Sequence, residues 1–231
     1  MTLAPAAKTD LPRIDDETVL IFDLDNTLYP AACNLFSQVS DLIGQYVRDA
    51  LKLEADEAYR VQKDYFHRYG TTLRGLMTEH DIDPADYLAK VHDIDVSVVS
   101  PAPDLASALD DLPGRKLIFT NASRGHAERV MDRLGIIDRF ETIFDIVDAN
   151  YVPKPEQAPY DLLLARDKVD PTRSVYFEDM AKNLLPAKDM GMTTVWVHTD
   201  LEWAQNGRDD PRIDHETNDL VGFLRNLSGA A

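Results

Sequence analysis

The sequence predicts an α/β fold, a doubly wound parallel sheet interrupted early by a helical insertion. Three observations predict it. Val19-Leu-Ile-Phe22 is a short apolar run without helical spacing, bounded by polar sequence, which reads as a strand buried on both faces. Residues 31–98 then carry helical periodicity. From Ser100-Pro101-Ala102-Pro103 onward, helical and strand-like segments alternate, as they do in a parallel sheet covered by helices.

In the insertion, Leu35, Val39, Leu42, Ile43, Tyr46, Val47 and Ala50 define one apolar helical face. A second helix over 54–69 turns Ala58, Val61, Tyr65 and Tyr69 inward and ends at Gly70. A short helix covers 72–80. Asp83 caps a further helix that has Pro84 at its first position and runs to Val91. In the second part, Leu105, Ala108, Leu109 and Leu112 make a helical face. Strands follow at 116–120, 143–147, 174–178 and 193–197. Between them lie a helix marked by Ala127, Val130, Met131 and Leu134 and closed by Gly135, and helices at 157–167 and 181–190. A polar loop is expected over 200–214 and a last helix over 216–227. The expected division is a core of residues 16–30 and 99–231, a helical domain of residues 31–98, and a disordered lead-in of residues 1–15.

Composition narrows the function classes. The chain has 231 residues, 44% hydrophobic and 28% charged, as a globular protein does. It holds no apolar run near the roughly 20 residues a membrane helix needs. The N-terminus has neither the basic start nor the apolar stretch of a secretion signal. The single cysteine, Cys33, excludes an intramolecular disulfide and a multi-thiolate zinc site, and fits a reducing cytoplasm. A net charge of −17 argues against binding a nucleic acid polymer. A small anion is still compatible, because a metal and a few local donors reverse the field inside one cleft.

In an open parallel sheet, ligands bind beyond the carboxyl ends of the strands. Three expected strands end in Asp23 and Asp25, in Thr120-Asn121, and in Glu178-Asp179. Lys154 lies between Pro153 and Pro155 on a stiffened backbone. Two carboxylates at a buried strand end need a neutralising partner. Each element alone has a plain structural reading as a turn, a cap or a surface bend; their order at successive strand ends points to phosphoryl transfer. That chemistry uses a carboxylate nucleophile, a hard cation best matched by Mg²⁺, a lysine and hydroxyl on the phosphoryl oxygens, and a second carboxylate for proton transfer.

The ordered elements FDLDNTLYP, FTNA, PKP and FEDMAKN, spanning about residues 18–198, resemble the haloacid dehalogenase superfamily of phosphatases. The resemblance implies a Rossmann-like core with residues 31–98 as its helical cap. It further implies Asp23 as nucleophile and Mg²⁺ ligand, and Asp25 as general acid/base that also binds metal through its carbonyl. Thr120 and Asn121 would contact phosphate, Lys154 would neutralise the nucleophile, and Asp179 would complete the metal ligands. Glu178 would support or replace it, and Thr27 and Asn183 would hydrogen-bond within the site. Asp25 favours a phosphatase over a dehalogenase. For Asp25 to start as an acid near neutral pH its pKa must rise by several units, each worth about 1.36 kcal/mol, and a closed dry cleft would supply that shift.

Residues 65–76, YFHRYGTTLRGL, together with 153–160, resemble the pyrimidine 5′-nucleotidase branch, which implies UMP or CMP as substrate. Phe66 or Tyr69 would stack on a base and Arg74 would bind an oxygen. For any single one of these, helix packing or a solvated surface position is the preferred reading. A phosphatase for another small metabolite, such as a sugar phosphate or phosphoglycolate, is the alternative, and a non-catalytic binding or regulatory module is a further one.

Overall fold

The computed structural model describes residues 11–229. Strand β1 (Val19–Phe22) is followed by four helices: α1 (Leu35–Leu51), α2 (Ala55–Tyr69), α3 (Thr72–His80) and α4 (Pro84–Val91). The alternating part comprises α5 (Pro103–Asp110), β2 (Arg115–Phe119), α6 (Arg124–Leu134), β3 (Thr142–Phe144), α7 (Gln157–Asp167), β4 (Ser174–Glu178), α8 (Ala181–Asp189), β5 (Thr193–Val197), β6 (His215–Thr217) and α9 (Leu220–Gly229). The strands form one sheet in the order β3-β2-β1-β4-β5-β6, every neighbouring pair parallel. Phe22 registers with Ile118 on one side and Phe177 on the other, which aligns the strand ends that carry the polar groups.

Both faces are covered, and strand alternation decides which residue faces which layer. Leu20, Phe22, Ile118, Val175 and Phe177 pack with Leu105, Leu109, Val130, Met131 and Leu224 of α5, α6 and α9. Val19, Ile21, Leu117, Phe119 and Tyr176 pack with Tyr160, Leu163, Leu184 and Ala187 of α7 and α8. This is the doubly wound α/β architecture with inserted helices. The inserted helices have a core of their own, built on Val47, Ala58, Tyr65, Leu73, Leu76, Tyr87, Leu88 and Val91, which Ile146 of the sheet part joins. Asp83 accepts from Ala85 N and Pro84 begins α4, as the sequence indicates.

Four details differ from the sequence expectation. The strand expected over 143–147 stops at Phe144, because Asp145 leaves the sheet: its carboxylate accepts from the backbone N–H of Arg124, Val147 and Asp148. The helix expected over 216–227 is instead strand β6 followed by α9. β6 pairs with β5, and Asp219 accepts from Gly222 N at the start of α9. A three-residue polar edge strand, His-Glu-Thr, has no apolar alternation to announce it. Ala50 faces solvent rather than the apolar side of α1. Of the lead-in expected to be disordered, residues 1–10 lie outside the described residues. Beyond them, Ile14 is buried in the core and Asp15 is paired with Arg173.

Candidate active site

β1 and β4 are neighbours at the centre of the sheet, where the winding direction reverses, and their carboxyl ends open a crevice there. Asp23 follows β1 directly, and its N–H donates to Phe177 O of β4 at 2.9 Å. Glu178 ends β4, with Asp179 next. Thr27 ties the two ends together: its hydroxyl donates to Asp23 Oδ2 at 3.0 Å and accepts from Asp179 N at 3.1 Å. Trp196 of β5 fixes the same turn by donating to Asp179 O at 2.7 Å.

Lys154 is 2% exposed and is aimed into this crevice. Its ammonium donates to Asp23 Oδ1 at 2.9 Å, Glu178 Oε2 at 2.7 Å, Tyr176 Oη at 3.0 Å and Phe119 O at 2.8 Å. Tyr176 in turn donates its hydroxyl to Glu178 Oε2, so its oxygen faces Lys154 as an acceptor. The side chain of Asn121 holds the Lys154 backbone, Oδ1 accepting from Lys154 N at 2.9 Å and Nδ2 donating to Lys154 O at 3.4 Å. The peptide bond between Lys154 and Pro155 is cis. Burial works against the lysine charge, but Asp23 and Glu178 outweigh it and hold Lys154 above its ordinary pKa.

The carboxylates are under the opposite stress. Burial and the nearby Glu178 push the Asp23 carboxyl up to about 7, against the pull of Lys154. Burial, Glu178 and Asp23 push Asp179 well above the usual carboxylate range. One lysine does not balance three clustered carboxylates. Asp23, Glu178 and Asp179 each bring a ligand oxygen within 4.8 Å of the others, and Asp179 Oδ2 is buried with no hydrogen-bond partner among the described residues. A hard, all-oxygen donor set with an orphaned carboxylate oxygen fits a magnesium ion.

Asp25 points elsewhere. Tyr29 donates to its Oδ1 at 2.6 Å, and His126 Nε2 of α6 lies 2.8 Å from the same oxygen. Burial works to raise the Asp25 carboxyl, but His126 and Tyr29 outweigh it and hold it down at about 2. The upward shift expected for this residue is absent from this arrangement, because two polar partners stand in place of a dry cleft. His126 stacks on His92 with ring centroids 4.6 Å apart, and His92 Nδ1 meets Ser123 Oγ at 2.8 Å. Burial and His126 lower His92 to about 3.

A cavity of ≈160 Å³ rises from these groups toward the inserted helices. Asp23, Asp25, Thr120, Asn121, Lys154, Glu178, Asp179 and Asn183 form its polar floor, and Phe36, Val39, Phe66, Leu88 and Trp203 are among its apolar walls. Thr120 Oγ1 accepts from Ala122 N at 3.0 Å, which leaves its proton for a ligand oxygen. Asn183 Oδ1 is buried with no partner among the described residues, while its backbone carbonyl accepts from Tyr160. Of the three residues that the sequence suggested for specificity, Phe66 reaches the cavity, 5.9 Å from Trp203 between ring centroids. Tyr69 does not line it: its hydroxyl lies outside, bonded to Glu79 and Arg68. Arg74 is absent from the lining as well.

Tyr29, His126, Tyr176 and Trp203 join the site without being among the residues the sequence points to. Tyr176 carried a usable signal, since it sits two residues before Glu178 on a strand and so shares its face. His126 carried none, being brought to Asp25 across 101 positions of sequence.

Comparison with known proteins agrees with this geometry. Phosphate metabolism protein 8 of Saccharomyces cerevisiae is 25% identical over 95% of this chain and 74% of its own length. A HAD phosphatase from Thermococcus onnurineus has a similar structure, with TM-score 0.63 and 20% identity over 92% of this chain and 98% of that one. L-2-haloacid dehalogenase from Xanthobacter autotrophicus, with chloropropionic acid covalently bound, gives TM-score 0.58 and 17% identity over 93% and 100% of the two chains. The family model for haloacid dehalogenase-like hydrolases matches residues 18–191, which include every strand-end group described above. This chain therefore belongs to the haloacid dehalogenase-like hydrolases.

Proposed function

We propose that the protein is a magnesium-dependent phosphomonoesterase that works through an aspartyl-phosphate on Asp23. The observation that carries this reading is the buried junction of Asp23, Lys154, Glu178 and Asp179 on the floor of a cavity. Asp23, Glu178 and Asp179 would hold Mg²⁺, together with the backbone carbonyl of Asp25. When bound, the ion supplies charge compensation between the nucleophile and the phosphate dianion.

Asp23 Oδ2 or Oδ1 attacks phosphorus, and the bond from phosphorus to the ester oxygen breaks with its electron pair leaving on that oxygen. His126 and Tyr29 hold Asp25 ionised in the ligand-free site, so it takes up a proton from solvent as the phosphate dianion binds beside it. It delivers that proton to the same oxygen, so the alcohol departs neutral. Asp25, now a carboxylate, takes a proton from a water whose oxygen attacks phosphorus, which releases phosphate and regenerates Asp23. Lys154 stays bonded to Asp23 and offsets charge on the phosphoryl group, while the Thr120 hydroxyl donates to one of its oxygens.

For the substrate, we propose a pyrimidine nucleoside 5′-monophosphate, whose nucleoside is the leaving group. Support comes from the sequence resemblance of the 65–76 and 153–160 segments and from the apolar walls, where Phe66 offers an aromatic ring. A sugar phosphate is the second reading. It is less well matched to those walls, because each buried hydroxyl without a partner is costly.

Phosphate release from UMP, CMP, ribose 5-phosphate and phosphoglycolate, with Mg²⁺ and with EDTA, tests both levels. UMP and CMP are expected to give the highest kcat/KM, and EDTA to abolish turnover. Asp23→Asn is expected to remove turnover with an unchanged circular dichroism spectrum. Activity persisting in that variant refutes the nucleophile, and a sugar phosphate turned over more efficiently than UMP refutes the nucleotide assignment.

A further inference from the structure

We propose that His126 is a positioning residue that, with Tyr29, turns the Asp25 carboxyl group so that its Oδ2 faces the reacting ester. The inference rests on the phosphomonoesterase reading above.

The geometry is specific to one oxygen. Tyr29 Oη and His126 Nε2 both meet Asp25 Oδ1, at 2.6 Å and 2.8 Å, and among the described residues no hydrogen bond reaches Oδ2. Asp25 lines the cavity, so Oδ2 is the oxygen left to it. The imidazole is 1% exposed, and its other nitrogen, Nδ1, is buried with no partner among the described residues. A hydrogen on Nδ1 would be a stranded buried donor, whereas a hydrogen on Nε2 points at Asp25. His126 therefore donates to Oδ1, as Tyr29 does.

With both donors on Oδ1, the carboxyl group is oriented so that Oδ2 is the oxygen presented to the cavity. The pair thus keeps Oδ2 turned toward the ester oxygen. It also fixes the rotamer of a side chain that would otherwise swing. His126 itself is held by burial in the first turn of α6 and by the stacked ring of His92. The arrangement joins α6 and the end of α4 to the loop that carries both catalytic aspartates, and so places the proton carrier relative to the nucleophile.

The diagnostic is the dependence on leaving group. An alkyl ester such as UMP needs its departing oxygen protonated, whereas p-nitrophenolate leaves without a proton. For the step that phosphorylates Asp23, read as kcat/KM, His126→Leu is expected to lower activity toward UMP about 10²-fold more than activity toward p-nitrophenyl phosphate. His126→Gln, which returns an N–H near the Nε2 position, is expected to recover most of that difference. Tyr29→Phe, a smaller change for the fold, is expected to show the same selective loss and serves if the Leu variant does not fold.

Equal losses on the two esters, or no loss, in the folded variants would overturn the proposal, since a merely structural role moves both esters together. Absence of hydrolysis of either ester by the wild-type protein with Mg²⁺ would instead refute the phosphomonoesterase reading. Inhibition of each variant by orthovanadate in Mg²⁺ is expected to stay within a few-fold of wild type, and its loss would also overturn the proposal by showing that the floor of the site was disturbed.

Discussion

At Lys154, an ammonium with three hydrogens has four acceptors around it, two of them carboxylates, and its side chain is almost wholly buried. Removing one partner of a buried ion pair leaves the other charge uncompensated, at a cost of about 3–5 kcal/mol. Lys154→Ala is therefore expected to lower stability by that order in urea unfolding and to abolish turnover. A variant of wild-type stability would show that Asp23 and Glu178 need no such counter-ion. The residues that converge here were legible as strand-end polar groups and a proline-flanked lysine. Their mutual bonds were not, because Lys154 and Asp23 are 131 positions apart and sequence spacing carries no information at that range.

At the scale of elements, α2 and α3 pack so closely that a side chain is excluded at one point. A Cβ on Gly75 would lie 2.4 Å from Tyr65 Cγ, inside any real contact distance. Gly75→Ala is expected to destabilise the protein by about 1–3 kcal/mol through overpacking, measurable as a lowered urea midpoint, and to weaken substrate binding because Phe66 shares α2 with Tyr65. An unchanged midpoint would mean that the two helices separate freely. Helix boundaries such as those of α3 and α4 follow from local caps and periodicity and were visible in the chain. The edge strand β6 was not, since its pairing with β5 is bought neither by propensity nor by alternation but by a neighbour supplied by the fold.

For the whole molecule, the acidic floor of the site links stability to pH and to metal. Asp23 has a folded pKa of about 7, above its ordinary 3.8, so the folded state binds its proton more tightly than the unfolded state does. Its favourable contribution is complete below about pH 4 and is lost as pH rises through 7. Asp25, held at about 2, acts in the opposite sense: its contribution is present above about pH 4 and is lost as pH falls toward 2. Between pH 5 and 8 the raised carboxyls of Asp23 and Asp179 lose their contribution as pH rises, while the buried His92, lowered to about 3, works in the opposite sense as pH passes its ordinary 6.5; the two carboxyls outweigh the one imidazole. The metal-free protein is expected to melt at a lower temperature at pH 8 than at pH 5.5. Saturating Mg²⁺ is expected to raise Tm more at pH 8, where it need not displace a proton, with a gain of about 2.7 kcal/mol at a hundred times Kd. Equal Mg²⁺ increments at the two pH values would contradict a metal site built on Asp23, and Asp23→Asn is expected to remove most of the difference.

The chain by itself determined the alternating α/β layers, the helical insertion and the rank of polar residues at the strand ends, because periodicity, caps and turn residues act over a few positions. Tertiary structure alone decided that Asn121 grips the Lys154 backbone, that Tyr69 turns outward while Phe66 turns in, and that Asp25 meets His126. Those outcomes depend on which elements the sheet order and the seating of the inserted helices bring face to face, and so on burial and pairing between segments that no local pattern relates.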